Sequence, residues 1–186
     1  MIKKFFLSLG IILCLVSTAY AESIKFDDKD YELKFSTNAA LSGGYINEYI
    51  PKNQNLNKWV EMIAIHTLPN VSDPKQFAQN LGNMLNKKYG TKIYLIINEK
   101  ENMAVLSFIL PSSNTGSRFL EYNLWKYKKY NDGGIIGLQY AKRVYIGKNT
   151  NLNLIGKELS KNHPIWVNKI IKMPYPKLQT KNIQIN

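Results

Sequence analysis

Tyr31, Leu33 and Phe35 alternate with Glu32, Lys34 and Ser36, a period of two that predicts a strand buried on one face. Ser42-Gly43-Gly44 is turn chemistry, and Tyr45 to Ile50 reads as a second strand stopped by Pro51. After a polar loop, Trp59 to Leu68 reads as a third strand. Trp59, Ile63 and Ile65 lie on one side of it and Val60, Met62 and Ala64 on the other, which places it centrally in its sheet. A helix start follows. Asp73 can cap, Pro74 suits the first turn, and Gln76 completes a variant of the capping box. Phe77, Leu81, Met84 and Leu85 then recur at helical spacing, and Gly90 supplies the stop. Gly82 inside this helix costs about 1 kcal/mol against Ala, so close packing must compensate.

Lys92–Asn98 and Met103–Leu110 form a hairpin around residues 99–102, and residues 112–117 form a loop. Arg118–Tyr130 and Ile135–Ile146 form a second, longer hairpin around residues 131–134. Leu152–Ser160 and Ile165–Met173 are helical stretches parted by Asn162-His163-Pro164, where proline ends or kinks the helix. Pro174-Tyr175-Pro176 halts the pattern and leaves 177–186 as a flexible tail. Hairpins without βαβ spacing predict the α+β class. The expected architecture is one antiparallel sheet of about seven strands, with a mid-chain helix and a C-terminal helix or helix pair packed on one face. Residues 22–176 form a single domain in this reading.

The first 21 residues have a different logic. Lys3 and Lys4 precede a twelve-residue apolar run from Phe5 to Val16, and Ala19-Tyr20-Ala21 offers a small-x-small cleavage site. These are the three parts of a secretory signal peptide, cut after Ala21. The run is shorter than the roughly 20 residues that cross a bilayer, and no later stretch is long and apolar enough to do so. Cys14, the only cysteine, lies in the leader, so the mature chain is cysteine-free and its export leans bacterial. The expected location is periplasmic or extracellular.

Asn47-Glu48-Tyr49-Ile50-Pro51, followed by Gln54, Leu56, Trp59 and Met62-Ile63-Ala64-Ile65, resembles a segment of small exported bacterial proteins of unassigned function. The order of strands and helices also resembles the PsbP- and Mog1-like α+β domains. That likeness implies a fold and no activity.

No constellation marks an enzyme. His66 and His163, the only histidines, stand outside any ligand spacing. His66, on a strand apolar on both sides, reads as a half-buried, hydrogen-bonded residue, and His163 as a cap at a helix junction. No G-x-S-x-G occurs, and the Gly43-Gly44 and Gly133-Gly134 pairs open no helix, as a phosphate loop would. No metal or cofactor is implied.

Charge is more informative. The chain carries 25 Lys and Arg against 13 Asp and Glu, a formal net charge of +12. Residues 22–117 hold ten of each sign, whereas residues 118–186 hold thirteen basic residues and only Glu121, Asp132 and Glu158 as acids. The long hairpin interleaves these cations with aromatics, and the candidate binding residues are Trp125, Lys126, Tyr127, Lys128, Lys129, Lys142 and Arg143. Such a surface suits an acidic protein or anionic envelope lipid; export argues against nucleic acid. The expected function is non-catalytic binding in the envelope. The alternatives are a secreted hydrolase with a site near His66, or an accessory protein of a secretion or toxin system.

Overall fold

The computed structural model describes residues 23–39, 43–112, 117–130 and 133–185. The expected leader, its cleavage site and Cys14 lie outside the described residues, as do parts of the 112–117 and 131–134 loops.

Nine strands and two helices are present among the described residues: β1 (Ser23–Phe26), β2 (Lys29–Ala39), β3 (Gly44–Pro51), β4 (Glu61–Leu68), α1 (Pro74–Tyr89), β5 (Tyr94–Asn98), β6 (Met103–Ser112), β7 (Phe119–Lys129), β8 (Ile135–Tyr145), α2 (Leu152–Lys172) and β9 (Ile183–Gln184). They form the expected α+β fold around a single antiparallel sheet in the order β1-β2-β3-β4-β8-β7-β6-β5, with β9 also paired to β2. The sheet is therefore two meanders, β1–β4 and β5–β8, joined where β4 pairs with β8. β4 is central, as its two apolar sides predict.

Each local signal has a physical counterpart. Asp27 and Asp28 both hold positive φ (50° and 61°), the geometry of a tight two-residue hairpin turn between β1 and β2. The Asp73 carboxylate accepts from the Lys75 and Gln76 amides, and Gly90 at φ 64° closes α1 by donating its N–H to the Asn86 carbonyl. The Gln76 amide group donates to Asn80 instead of returning to the cap, so the box is half made. Gly82 meets the sheet so closely that a Cβ would lie 3.1 Å from Ile93. That close approach is what the helix gains from its glycine.

Three expectations need correction. The helices lie on opposite faces of the sheet, because β6, β7 and β8 carry apolar side chains on both sides and each side needs a cover. Ala78 and Leu85 of α1 pack on Ala104, Leu106, Phe108, Tyr127 and Ile135. Leu159, Trp166, Val167 and Ile170 of α2 pack on Val105, Tyr122, Leu124, Leu138 and Tyr140. Second, α2 runs unbroken through Pro164. Third, the expected tail is docked through residue 185: β9 pairs with Phe35 and Ser36, and Gln179 is buried against β3. β1 and β9 account for the two strands beyond the expected seven.

Candidate functional site

The β7–β8 hairpin sets the geometry of all seven candidate binding residues. Its register pairs Glu121 with Arg143 and Tyr122 with Lys142 at one end, and Lys128 with Ile136 and Lys129 with Ile135 at the other. Side chains alternate across a sheet, so Trp125, Tyr127, Lys129 and Arg143 belong to the α1 face and Lys126, Lys128 and Lys142 to the α2 face.

On the α1 face, Tyr127 is buried and meets Phe77 edge-on, with ring centroids 5.1 Å apart. Trp125 stacks on Tyr127 at 5.4 Å, and His66 stands edge-on to Trp125 at 4.9 Å. These rings cover Gly137, where a Cβ would lie 2.9 Å from Tyr127 and 3.2 Å from Trp125. Burial pushes the His66 imidazole down to about 4, so it is neutral at neutral pH.

At the far end of this face the Arg143 guanidinium lies 3.6 Å from the ring centroid of Trp59 and 4.4 Å from that of Phe119. Its Nε donates to Glu121 at 2.8 Å. Asn123 donates to the other Glu121 oxygen, and Gln139 donates to Asn123 at 2.6 Å. Glu48 is on the same face, and burial raises its carboxyl above the ordinary range against the pull of Arg143. Arg143 also lines a cavity of about 260 Å3 with Asn57, Lys58, Ser117, Phe119 and Tyr145.

On the α2 face, Lys126 is 3% exposed and donates to the main-chain carbonyls of Met173 and Ile171, where α2 ends. Its ammonium lies 4.4 Å from the Tyr175 ring centroid. Burial, then the neighbouring Lys128 charge, pushes this amine down to about 8. Lys142 joins a buried node around Glu61, which accepts from Lys142 (3.2 Å), Lys29, Tyr140 (3.3 Å) and Tyr31 (3.4 Å). Burial alone would raise the Glu61 carboxyl. The two ammonium groups outweigh it and hold the group below its ordinary range.

The seven residues thus do not converge on one surface. Lys128 and Lys129 are exposed, while Lys126 and Tyr127 are core, Trp125 is half-buried among rings, and Lys142 and Arg143 are held in ion pairs. Two polar groupings lay outside the sequence reading. Glu61 is the one carboxylate in an apolar strand, a signal that burial with partners could have been inferred from. His163 lies within α2 and its Nδ1 shares a 2.9 Å hydrogen bond with the Tyr122 hydroxyl; the expected helix junction obscured this. No group of three His, Cys, Asp or Glu side chains among the described residues could hold a metal ion. No helix among them is long and apolar enough to cross a membrane.

No curated protein and no solved structure matches this chain. A protein-family model matches residues 18–175, a span that takes in every strand from β1 to β8 and both helices. The chain therefore belongs to that family, one of uncharacterised function.

Proposed function

We propose that this protein is exported by its N-terminal leader and acts in the bacterial envelope, without catalysis, as a binding module for an acidic protein. The observation that carries this reading is the imbalance of satisfied charge in the last third of the chain. Glu121 is taken up by Arg143, and Glu158 lies 4.0 Å from Lys142. Lys128 and Lys129 at the hairpin tip are exposed and have no carboxylate partner among the described residues. The basic start, apolar run and Ala19-Tyr20-Ala21 of the first 21 residues support the location. His66 is packed against Trp125 and no acid or hydroxyl bonds its ring among the described residues, which speaks against a hydrolase centred there.

The double change Lys128→Glu and Lys129→Glu tests the binding half. Wild-type protein is expected to bind immobilised poly-L-glutamate in low salt, and the variant to bind at least about tenfold more weakly, since reversing two charges affects an exposed contact within a Debye length. Equal retention of the two proteins sinks this reading. N-terminal sequencing of the protein recovered from periplasm tests export. A chain beginning at Glu22 is expected, and an uncut chain retained in the cytoplasm overturns it.

A second reading replaces the protein partner with anionic lipid. It is favoured by the outer face of α2, where Leu154 (61% exposed) and Ile165 (47%) stand among exposed Lys157 and Lys161. Co-sedimentation with phosphatidylglycerol vesicles but not phosphatidylcholine vesicles, lost on Leu154→Ser with Ile165→Ser, would establish it over the first.

A further inference from the structure

The geometry points to a small-molecule site in the wedge between α2 and the β5–β6 edge, shaped for an apolar compound with one carboxylate. A cavity of about 350 Å3 opens there, lined by Ile109, Leu159, Ser107, His163, Gly156 and Lys92. That size is at the small end of the ~300–1,000 Å3 range of ligand pockets.

The cavity exists because two sheet strands outrun the helix that covers them. Leu124, Ser107 and Tyr94 are cross-strand neighbours on the α2 face, and α2 packs mainly over β7 and β8, reaching β5 where His163 meets Tyr94. Gly156 deepens the gap. An added Cβ there would meet nothing within 4 Å, although glycine costs about 1 kcal/mol in a helix interior. The helix thus carries its one glycine at a position that lines the cavity.

Its polar groups are held ready. Tyr122 is 4% exposed and bonds His163 at 2.9 Å, which fixes the imidazole. Tyr94, 44% exposed, stands perpendicular to His163 with centroids 4.5 Å apart and forms one wall. Nε2 of His163 is buried and has no hydrogen-bond partner among the described residues, so it lacks an acceptor. Burial lowers the imidazole pKa and favours its neutral form. Lys92 is exposed, lines the cavity and forms no ion pair among the described residues. It supplies the only cationic side chain of the lining among the described residues, and hence the preference for an acid over a neutral compound of the same shape. The apolar walls, Ile109 and Leu159, take a short alkyl chain or one aromatic ring system.

Calorimetric titration with octanoate and indole-3-acetate, beside octanamide and indole-3-acetamide, tests the assignment on the full mature chain. At least one acid is expected to saturate the wild-type protein with one-site stoichiometry and to bind at least about tenfold tighter than its amide. Gly156→Phe is expected to abolish that binding with an unchanged or higher melting temperature, since its side chain enters open space. Lys92→Gln is expected to bring acid and amide to equal affinity. Failure of both acids to saturate the wild-type protein overturns the site. Undiminished binding by a folded Gly156→Phe protein overturns its location, and equal affinity of wild type for acid and amide overturns the ligand class.

Discussion

Asn47 on β3 grips the main chain of Gln179 from both sides. Its Oδ1 accepts from the Gln179 amide at 2.7 Å and its Nδ2 donates to the Gln179 carbonyl at 2.9 Å. Asn47 is fully buried and Gln179 is 4% exposed, so neither end of this pair has water to fall back on. Ser36 adds a bond to the same carbonyl at 3.2 Å. The C-terminal segment is thereby a lid on the β2–β3 end of the core.

Replacing Asn47 with Ala removes both bonds and leaves the Gln179 amide buried without an acceptor. The expected cost is about 2–3 kcal/mol, read as a lower denaturation midpoint in urea. Amide exchange in residues 177–185 should accelerate more than exchange in β6 or β7. Uniform acceleration across the sheet would mean that the segment is not a separate unit.

The contrast between local and long-range contacts shows what a sequence makes legible. Strand periods, the Asp73 cap and the Gly90 stop are local, and each is set within a few residues, so β2–β8 and α1 could be read directly. β9 could not, because two residues become a strand only when Asn47 and Ser36 hold the chain beside β2. The side of the sheet taken by each helix was hidden for a similar reason. Residues of β6 are buried on both sides, and a pattern apolar on both sides does not say which helix covers which. The basic-aromatic stripe of the hairpin was visible as composition. That Lys126 and Tyr127 serve the core while Lys128 and Lys129 face solvent depends on where α2 ends and where Phe77 lies.

Lys126 makes stability rise with pH in one window. Its amine titrates near 8 when folded and near ~10.4 when unfolded. Between those values the unfolded chain binds more protons, so raising the pH favours the folded state, by about 3 kcal/mol in the limit. Above pH ~10 the trend reverses, because burial raises Tyr31, Tyr122, Tyr127 and Tyr140 and the unfolded chain loses phenolic protons first. Urea midpoints measured from pH 7 to 11 should therefore pass through a maximum near pH 9–10. Lys126→Met should remove the rising limb and keep the falling one. A wild-type protein whose stability is flat from pH 8 to 10 would refute this account.

Glu61 gives a slope of the same sign in acid. Its carboxyl is held below the ordinary range when folded, so its contribution is complete above the unfolded value near ~4.3 and is lost as pH falls through the lower folded value. Glu61→Gln leaves Lys142, 18% exposed at its side chain, facing a neutral amide. The expected loss at neutral pH is about 3 kcal/mol. The variant's midpoint should then change less than that of the wild type between pH 5 and 3, which thermal melts at a series of pH values would show.

Two tyrosines on one face of the sheet separate a hydroxyl that is used from one that is not. Tyr49 and Tyr140 are both fully buried, and each is a direct neighbour of Ile63, one from β3 and the other from β8. The Tyr140 hydroxyl donates to Glu61 at 3.3 Å, whereas the Tyr49 hydroxyl has no partner among the described residues, and burial pushes it up to about 12. Removing an oxygen that was never bonded relieves its desolvation, while removing a bonded one leaves a carboxylate short of a donor. Tyr49→Phe should therefore be neutral or stabilising by about 1 kcal/mol, and Tyr140→Phe destabilising by about 1–2 kcal/mol. Equal destabilisation by the two changes would show that the Tyr49 hydroxyl is satisfied in solution.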